Sequence, residues 1–507
     1  MAELPQPPNT VLTLIPEPGI KRDGTNLDSD NCSDGQWVRF QRGRAKKIGG
    51  FRMIMNGLTA GSTKVMTWAN LGLTSIFNMS SSKIEAVQVN SDLVGAYVID
   101  RTPSGFVTNS NNLWSADTQY DDAAGSQNTI IVAHCSNSLS NIDDSTTSKP
   151  YWALADGSSL FAQIADAPAV SGGVFCIPPY TCAFGSNGDF HWSDANQPQV
   201  WEGSTNPGDA GGDRITGSKI VRGIPLQAGR PAAILWSLDS VIRMEYVGGS
   251  QIFQFSTIST KSSILSQNSI IEYDGMFFWI GMDRFMYFDT SVNELPNNMN
   301  LNWFFNNLNY AYRQKVWAMK NTRFGEIWWF FPKGDSTECN HAVIFNVREK
   351  TWYDCELSRC SGIYSTLLRY PVMMTADGGL FQHEFGYDSI IGDAQSPIRS
   401  FYTTQNFGFP TGGVGTSLQG SNNWTRLTRI EPDFLQSGNL EISVLSQEFA
   451  RGPITIAESF TFTENDERID MRVQARHIQV KYESNTLGGF YESGRTIIHT
   501  ELGDVRN

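Results

Sequence analysis

Between about residues 61 and 400 the chain repeats a rhythm without repeating a sequence. Short β-branched and aromatic runs stand at 65–68, 85–89, 96–100, 129–133, 173–177, 190–193 and 233–236, then at 241–246, 270–273, 276–280, 285–288, 326–331, 342–345 and 351–353. Turn chemistry separates them: Asp156-Gly157, Asn187-Gly188, Gly248-Gly249, Asp274-Gly275 and Asp377-Gly378-Gly379. Strands this short over this length exceed what one sandwich holds. A β-propeller is the economical architecture, because radial repetition hides strand edges.

Residues 270–290 show the expected blade unit: strand, Asp274-Gly275 hairpin, strand, Gly-containing turn, strand. Residues 325–356 repeat the plan with Trp328, Trp329, Phe330, Trp352 and Tyr353 as packing residues. Between them, 296–320 is Asn-rich and carries apolar residues partly at helical spacing, which predicts one short amphipathic helix. The expected divisions are an N-terminal arm with first strands (1–60), a propeller body (61–403) with insertions around 103–230, a linker (404–423) and a C-terminal β-domain (424–507). The linker is rich in Gly, Ser and Thr, and the last segment alternates strongly enough for a β-sandwich or barrel. In the arm, Pro5, Pro7, Pro8, Pro16 and Pro18 deny helix and ladder hydrogen bonds. The fold class expected is all-β. Within the first segment, Trp37, Arg39 and Gln41 alternate with Val38 and Phe40, a strand with one wet face, and Asp34-Gly35 and Arg42-Gly43 read as turns.

Composition narrows the function. Hydrophobic residues make up 40% of 507, with 14 Trp, 16 Tyr and 30 Phe, which excludes a disordered chain. The net charge of −13 excludes a surface that grips phosphate backbones as a whole. The first residues lack a basic-then-apolar order and no apolar run approaches about 20 residues, so neither a signal peptide nor a membrane span is expected. Seven cysteines without a CxxC read as reduced, mostly buried thiols made in a cytoplasm, one local disulfide being the lesser alternative. Six scattered histidines form no metal pattern, and no GxSxG, Walker or GxGxxG motif occurs. Asp274, Asp283, Asp289, Asp377 and Asp388 could supply some of the paired carboxylates a propeller glycosidase needs, but Asp274 and Asp377 sit in Asp-Gly turns and the sialidase blade box is missing. No enzyme activity, cofactor, metal or catalytic residue is expected.

The strongest local charge signal is Arg39, Arg42, Arg44, Lys46, Lys47 and Arg52. On an acidic chain this is a phosphate-facing strip, the dock of an anionic partner, or a solvated strand face. The partner reading leads, since an acidic body with a basic arm is suited to joining copies of itself.

A family resemblance rests on Pro18-Gly19-Ile20, Arg22-Asp23-Gly24-Thr25, Asp34-Gly35, Val38-Arg39-Phe40, Arg42-Gly43 and Lys47-Ile48-Gly49-Gly50-Phe51. It continues in Arg222-Gly223, Ile234 to Trp236, Glu245-Tyr246, Gly248-Gly249, Phe253-x-Phe255, Asp274-Gly275 and Trp279-Ile280-Gly281, then in Glu326 to Pro332, Asn346-Val347 and Thr351-Trp352-Tyr353. The chain resembles the tail hub proteins of short-tailed bacteriophages, also called nozzle, tail tubular or DNA-stabilisation proteins. The likeness is weaker at about 103–230 and at the extreme C-terminus. It implies a virion tail component: a propeller subunit of a homohexameric ring below the portal and its adaptor. Such a ring extends the DNA channel, helps retain and then conducts genomic DNA without binding it tightly, and docks tail fibres or spikes. Six copies would carry six times −13, or −78, so their interfaces must be neutral or complementary. An acidic, hydroxyl-rich lumen suits the passage of phosphates. The alternatives are a carbohydrate-binding or glycosidase propeller and a monomeric propeller scaffold.

Overall fold

The computed structural model describes residues 10–505 apart from 26, 28–29, 71–72, 91, 94–95, 124–128, 139–140, 157, 206, 227–230, 250 and 409–422. The fold is all-β: a propeller body and a β-sandwich. Among the described residues, six four-stranded antiparallel sheets follow one another in sequence order. They are blade 1 (residues 62–100), blade 2 (112–163), blade 3 (173–214), blade 4 (220–259), blade 5 (271–294) and blade 6 (317–356). A seventh blade takes three strands from residues 361–383 and its fourth from Phe51–Met55, so the N-terminal part of the chain closes the ring. The stretch 103–230, expected to hold insertions, consists mainly of blades 2 and 3, which belong to the ring itself.

Hairpin chemistry and burial explain why these runs become blades. Asp274 (φ 50°) and Gly275 (φ 80°) both take positive φ between Ile271–Tyr273 and Met276–Ile280, the geometry a two-residue turn needs to match strand twist. In blade 6 the strand Glu326–Phe331 is buried on both faces. Ile327, Trp329 and Phe331 pack towards blade 5, while Trp328 and Phe330 join the core shared with the sandwich. Buried tryptophans also fasten segments by donating the indole N–H to a backbone carbonyl: Trp114 to Ser80 (2.7 Å), Trp329 to Ser269 (2.8 Å) and Trp352 to Pro296 (2.8 Å). The predicted helix forms at Leu301–Asn307, followed by a 3-10 turn at Tyr310–Lys315. No helix among the described residues is long and apolar enough to cross a membrane.

The sandwich draws on both ends of the chain. One sheet joins Ile469–Ala475, Asn423–Ser437 and Phe490–Val505 to Arg44–Lys47, Val38–Gln41 and Thr10–Leu14. The other joins Asp34–Gln36, Ser400–Thr403, His477–Ser484, Leu440–Gln447 and Thr455–Phe462. Residues 10–14, 34–36, 38–41 and 44–47 are therefore sandwich strands, and strand 400–403 belongs to the sandwich. The linker expected at 404–423 and the prolines at 5, 7 and 8 lie largely or wholly outside the described residues. Two local expectations are corrected. Asp34-Gly35 is not a turn but strand, paired with Tyr402 and Thr403. Strand 38–41 has no wet face towards Arg39: Trp37, Val38, Arg39 and Phe40 are all buried, because the strand is wedged between the sandwich core and blade 6. Arg42-Gly43 does form the turn before Arg44–Lys47, with φ of 52° and 74°.

All seven cysteines are free thiols, and six are buried. Three histidines, His134, His341 and His383, are also buried in blades. His134 Nε2 lies 3.0 Å from the carbonyl oxygens of Ser148 and Val170, which assigns the proton to Nε2, and its Nδ1 has no partner. Burial lowers its pKa to about 4. An unfolded imidazole binds a proton near 6.5, so between pH 6.5 and 4 the unfolded chain holds the extra proton. This contribution to stability is complete above pH 6.5 and is lost as pH falls towards 4, about 3 kcal/mol in all. Urea midpoints measured from pH 7.5 to 4.5 should fall steeply, and His134→Gln should flatten that acid limb. An unchanged limb in the variant would assign the effect elsewhere.

Candidate assembly surface

Arg22, Asp34, Arg39, Glu326, Asn346, Tyr353 and Asp354 meet in one joint between the N-terminal segment, blade 6 and the sandwich. Arg22 places Nε 2.8 Å from Asp354 and donates to the carbonyl of Gly35 at 3.0 Å, while Nη1 pairs with Asp34. Asp354 is fully buried. Burial would raise its carboxyl, but Arg22 and His341, whose Nε2 is 2.9 Å away, hold it below the usual carboxylate range. Asp23 accepts the free N–H groups of Asn302 (2.8 Å) and Trp303 (2.7 Å), so the N-terminal segment caps the helix.

Arg39 lies at the centre of the joint. Its guanidinium grips Glu326 through Nε (2.8 Å) and Nη2 (3.0 Å), and Glu384 through Nη1 (2.9 Å) and Nη2 (2.5 Å). Glu326 also accepts the Tyr353 hydroxyl (2.6 Å) and the Trp328 indole N–H (2.9 Å). Burial alone would lower the Arg39 guanidinium, yet the two carboxylates outweigh it and hold the charge firmly. Asn346 completes the contact by donating to the Phe40 carbonyl at 3.2 Å.

The basic strip is therefore not one surface. Arg39 and Lys47 are each 1% exposed, so neither is on the surface. Burial lowers Lys47 to about 8 against the pull of Asp388, and its Nζ has no hydrogen-bond partner. Arg52 is half-buried in blade 7, donating to Gln382 and to the Asp92 carbonyl with its guanidinium over Phe385. Arg42, Arg44 and Lys46 remain towards solvent on the 38–47 hairpin, with only Glu492 pairing Arg44 (3.4 Å) and Lys46 (3.5 Å).

The structure adds residues to this surface that the sequence did not point to. The blade 6 turns carry exposed Arg323, Arg348 and Lys350. Glu349 accepts the backbone N–H of Arg42 at 2.8 Å, and Gln41 and Asn346 both reach the Phe324 carbonyl, so these turns adjoin the hairpin. The result is a patch of Arg42, Arg44, Lys46, Arg323, Arg348 and Lys350 in which Glu349 and Glu492 are the neighbouring carboxylates shown in contact. Positions more than 270 residues apart build it, so no local charge count could reveal it.

The candidate glycosidase carboxylates occupy separate turns and contacts. Asp274 and Asp377 occupy turns, Asp283 pairs with Arg284 (2.7 Å), and Asp289 accepts the backbone N–H groups of Thr290 and Ser291. Asp388 is buried and accepts the N–H of Gly488 and the amide of Gln395.

No family model matches the chain, and no curated protein matches it. Among solved structures, an exo-β-1,3-galactanase from Phanerochaete chrysosporium, crystallised with β-1,3-galactotriose, is similar over 89% of this chain and 99% of its own, at 10% identity and a TM-score of 0.29. The expectation that the chain is no enzyme is corrected by this match to a glycosidase and is withdrawn. At that TM-score the likeness assigns no activity to this chain.

Proposed function

We propose that this chain is a tail hub, or nozzle, subunit of a short-tailed bacteriophage. In this reading, copies form a ring, a homohexamer, that extends the DNA channel below the portal and its adaptor, helps retain and then conducts the genome, and docks tail fibres or spikes. The observation that supports it is the joint. Residues by which the chain resembles that family (Arg22, Asp34, Arg39, Glu326, Asn346 and Tyr353) are the ones that weld the N-terminal segment to blade 6. A ring subunit under DNA pressure needs its propeller and sandwich held as one rigid unit, and buried multidentate pairs do that. The basic patch on this joint suits an acidic face of a neighbouring copy or of the adaptor.

Light scattering of the purified chain tests the reading. Six copies of 56.3 kDa make a ring of about 338 kDa, and a monomer at all concentrations, alone and with a portal–adaptor complex, would overturn it. Reversing Arg42, Arg44 and Lys46 together to Glu is expected to abolish or weaken assembly at least tenfold while leaving the circular dichroism of the subunit unchanged. High salt should weaken wild-type assembly in the same direction. Lys47 is left out of that variant, because a carboxylate there would be buried beside Asp388 and would unfold the joint.

A further inference from the structure

The first strand of each blade lines the axial channel of the propeller. On one side of this channel, blades 1, 4, 5, 6 and 7 line a half-open cavity of about 270 Å³. Lys64 of blade 1 and Arg222 of blade 4 both line it, and both feel the charge of one carboxylate, Asp117 of blade 2, without pairing directly with it. Asp117 is already committed, accepting the backbone N–H of Cys176 at 2.9 Å and of Thr118 at 2.8 Å. On the opposite wall Lys320 and Glu272 neutralise each other at 2.7 Å. Three cations thus face two carboxylates, and Arg222 Nη1 is buried with no hydrogen-bond partner. A buried, unpaired guanidinium N–H is costly unless something accepts from it. Neither the assembly reading nor the joint uses this group.

We infer that the channel cavity binds a small oxyanion, the carboxylate or phosphate end of a molecule no larger than a monosaccharide, held by Arg222 and Lys64. The planar guanidinium matches either oxyanion with paired N–H donors, and the ammonium adds a point charge. The cavity lies just below the roughly 300 Å³ at which drug-sized pockets begin, so the ligand is small. Trp317 supplies an apolar wall. Burial, with Arg222 adding to it, brings Lys64 down to about 8, so affinity should fall as pH rises through that value.

Calorimetric titration of the full chain with inorganic phosphate and, separately, with glucuronate tests the inference. One site per chain is expected for at least one of the two, weakened at least tenfold by Arg222→Gln and by Lys64→Met, and weakening from pH 7 to 9 in the wild type. Phosphate alone, glucuronate alone or both would each uphold the site and say which oxyanion it prefers. No binding of either, or binding unchanged in both variants, would overturn it. Thermal melting of each variant separates loss of the site from loss of the fold, and the Lys64→Met result decides if Arg222→Gln fails to fold. Ring formation is a different readout, so failure here leaves the assembly reading standing.

Discussion

Replacing Arg39 by Leu should cost about 3–5 kcal/mol of stability, the penalty for removing one member of a buried charge network. The cause is less the lost attraction than what stays behind. Glu326 is 0% exposed and Glu384 9%, and without the guanidinium two carboxylates would share a dry joint. Tyr353, Trp328 and Asn321 each donate one hydrogen bond to these carboxylates, which cannot offset two uncompensated charges. The comparison that isolates this cause is a triple variant, Arg39→Leu with Glu326→Met and Glu384→Met, which should recover much of the loss because no charge is then stranded. Arg42→Leu, three residues along on the exposed turn, should change stability by no more than about 0.5 kcal/mol. Urea midpoints for the four proteins check the series. If Arg39→Leu and Arg42→Leu were equally mild, the network would not be holding the joint.

Arg39 also shows where sequence reading succeeded and failed. The runs at 276–280 and 326–331 were legible as strands because burial on both faces demands continuous large apolar residues, and Asp274-Gly275 was legible as a hairpin because its backbone needs positive φ. The helix at 301–307 was legible from its spacing. A charge alternating with Val38 and Phe40, as Arg39 does, signals a solvent-facing position in a two-layer sheet. The burial of Arg39 depends on Glu326 and Glu384, which lie 287 and 345 positions away and whose approach no local pattern encodes. The same limit hid the axial pair Lys64 and Arg222. It also hid the closure of blade 7, since Phe51–Met55 looks like any other short strand until its partners at 380–383 are known.

That closure carries the largest expected effect. A chain beginning at residue 57 should fail to give a soluble, cooperatively melting monomer. Blade 7 would keep its own strands Ser361–Ile363, Val372–Met374 and Leu380–His383 but lose the outer one, and with it the pairs Leu380↔Met55 and His383↔Phe51. Strand Asp388–Ile391 pairs with Phe51–Met55 in parallel and would lose its anchor as well. Phe51 would no longer pack edge-on against Phe381 at 5.6 Å, nor lie under the Arg359 guanidinium at 4.9 Å. The open edge would then be free to pair with another chain, which is the route from an unclosed sheet to aggregation. A point variant probes the same seam without removing sandwich strands. At Gly50 a Cβ would sit 2.2 Å from the Asp388 carbonyl oxygen and 2.5 Å from its nitrogen, both backbone atoms, so Gly50→Ala must push the closing strand away from 388–391. It should lower stability by about 1–3 kcal/mol, the usual range for a packed site forced to open. Adding residues 1–56 as a separate peptide should restore solubility to the truncated chain, because the ladder forms between backbones and needs no covalent link. A truncated chain that stays monomeric and melts at the wild-type temperature would mean that the propeller is closed by its own sequential strands, and that the N-terminal segment serves the sandwich alone.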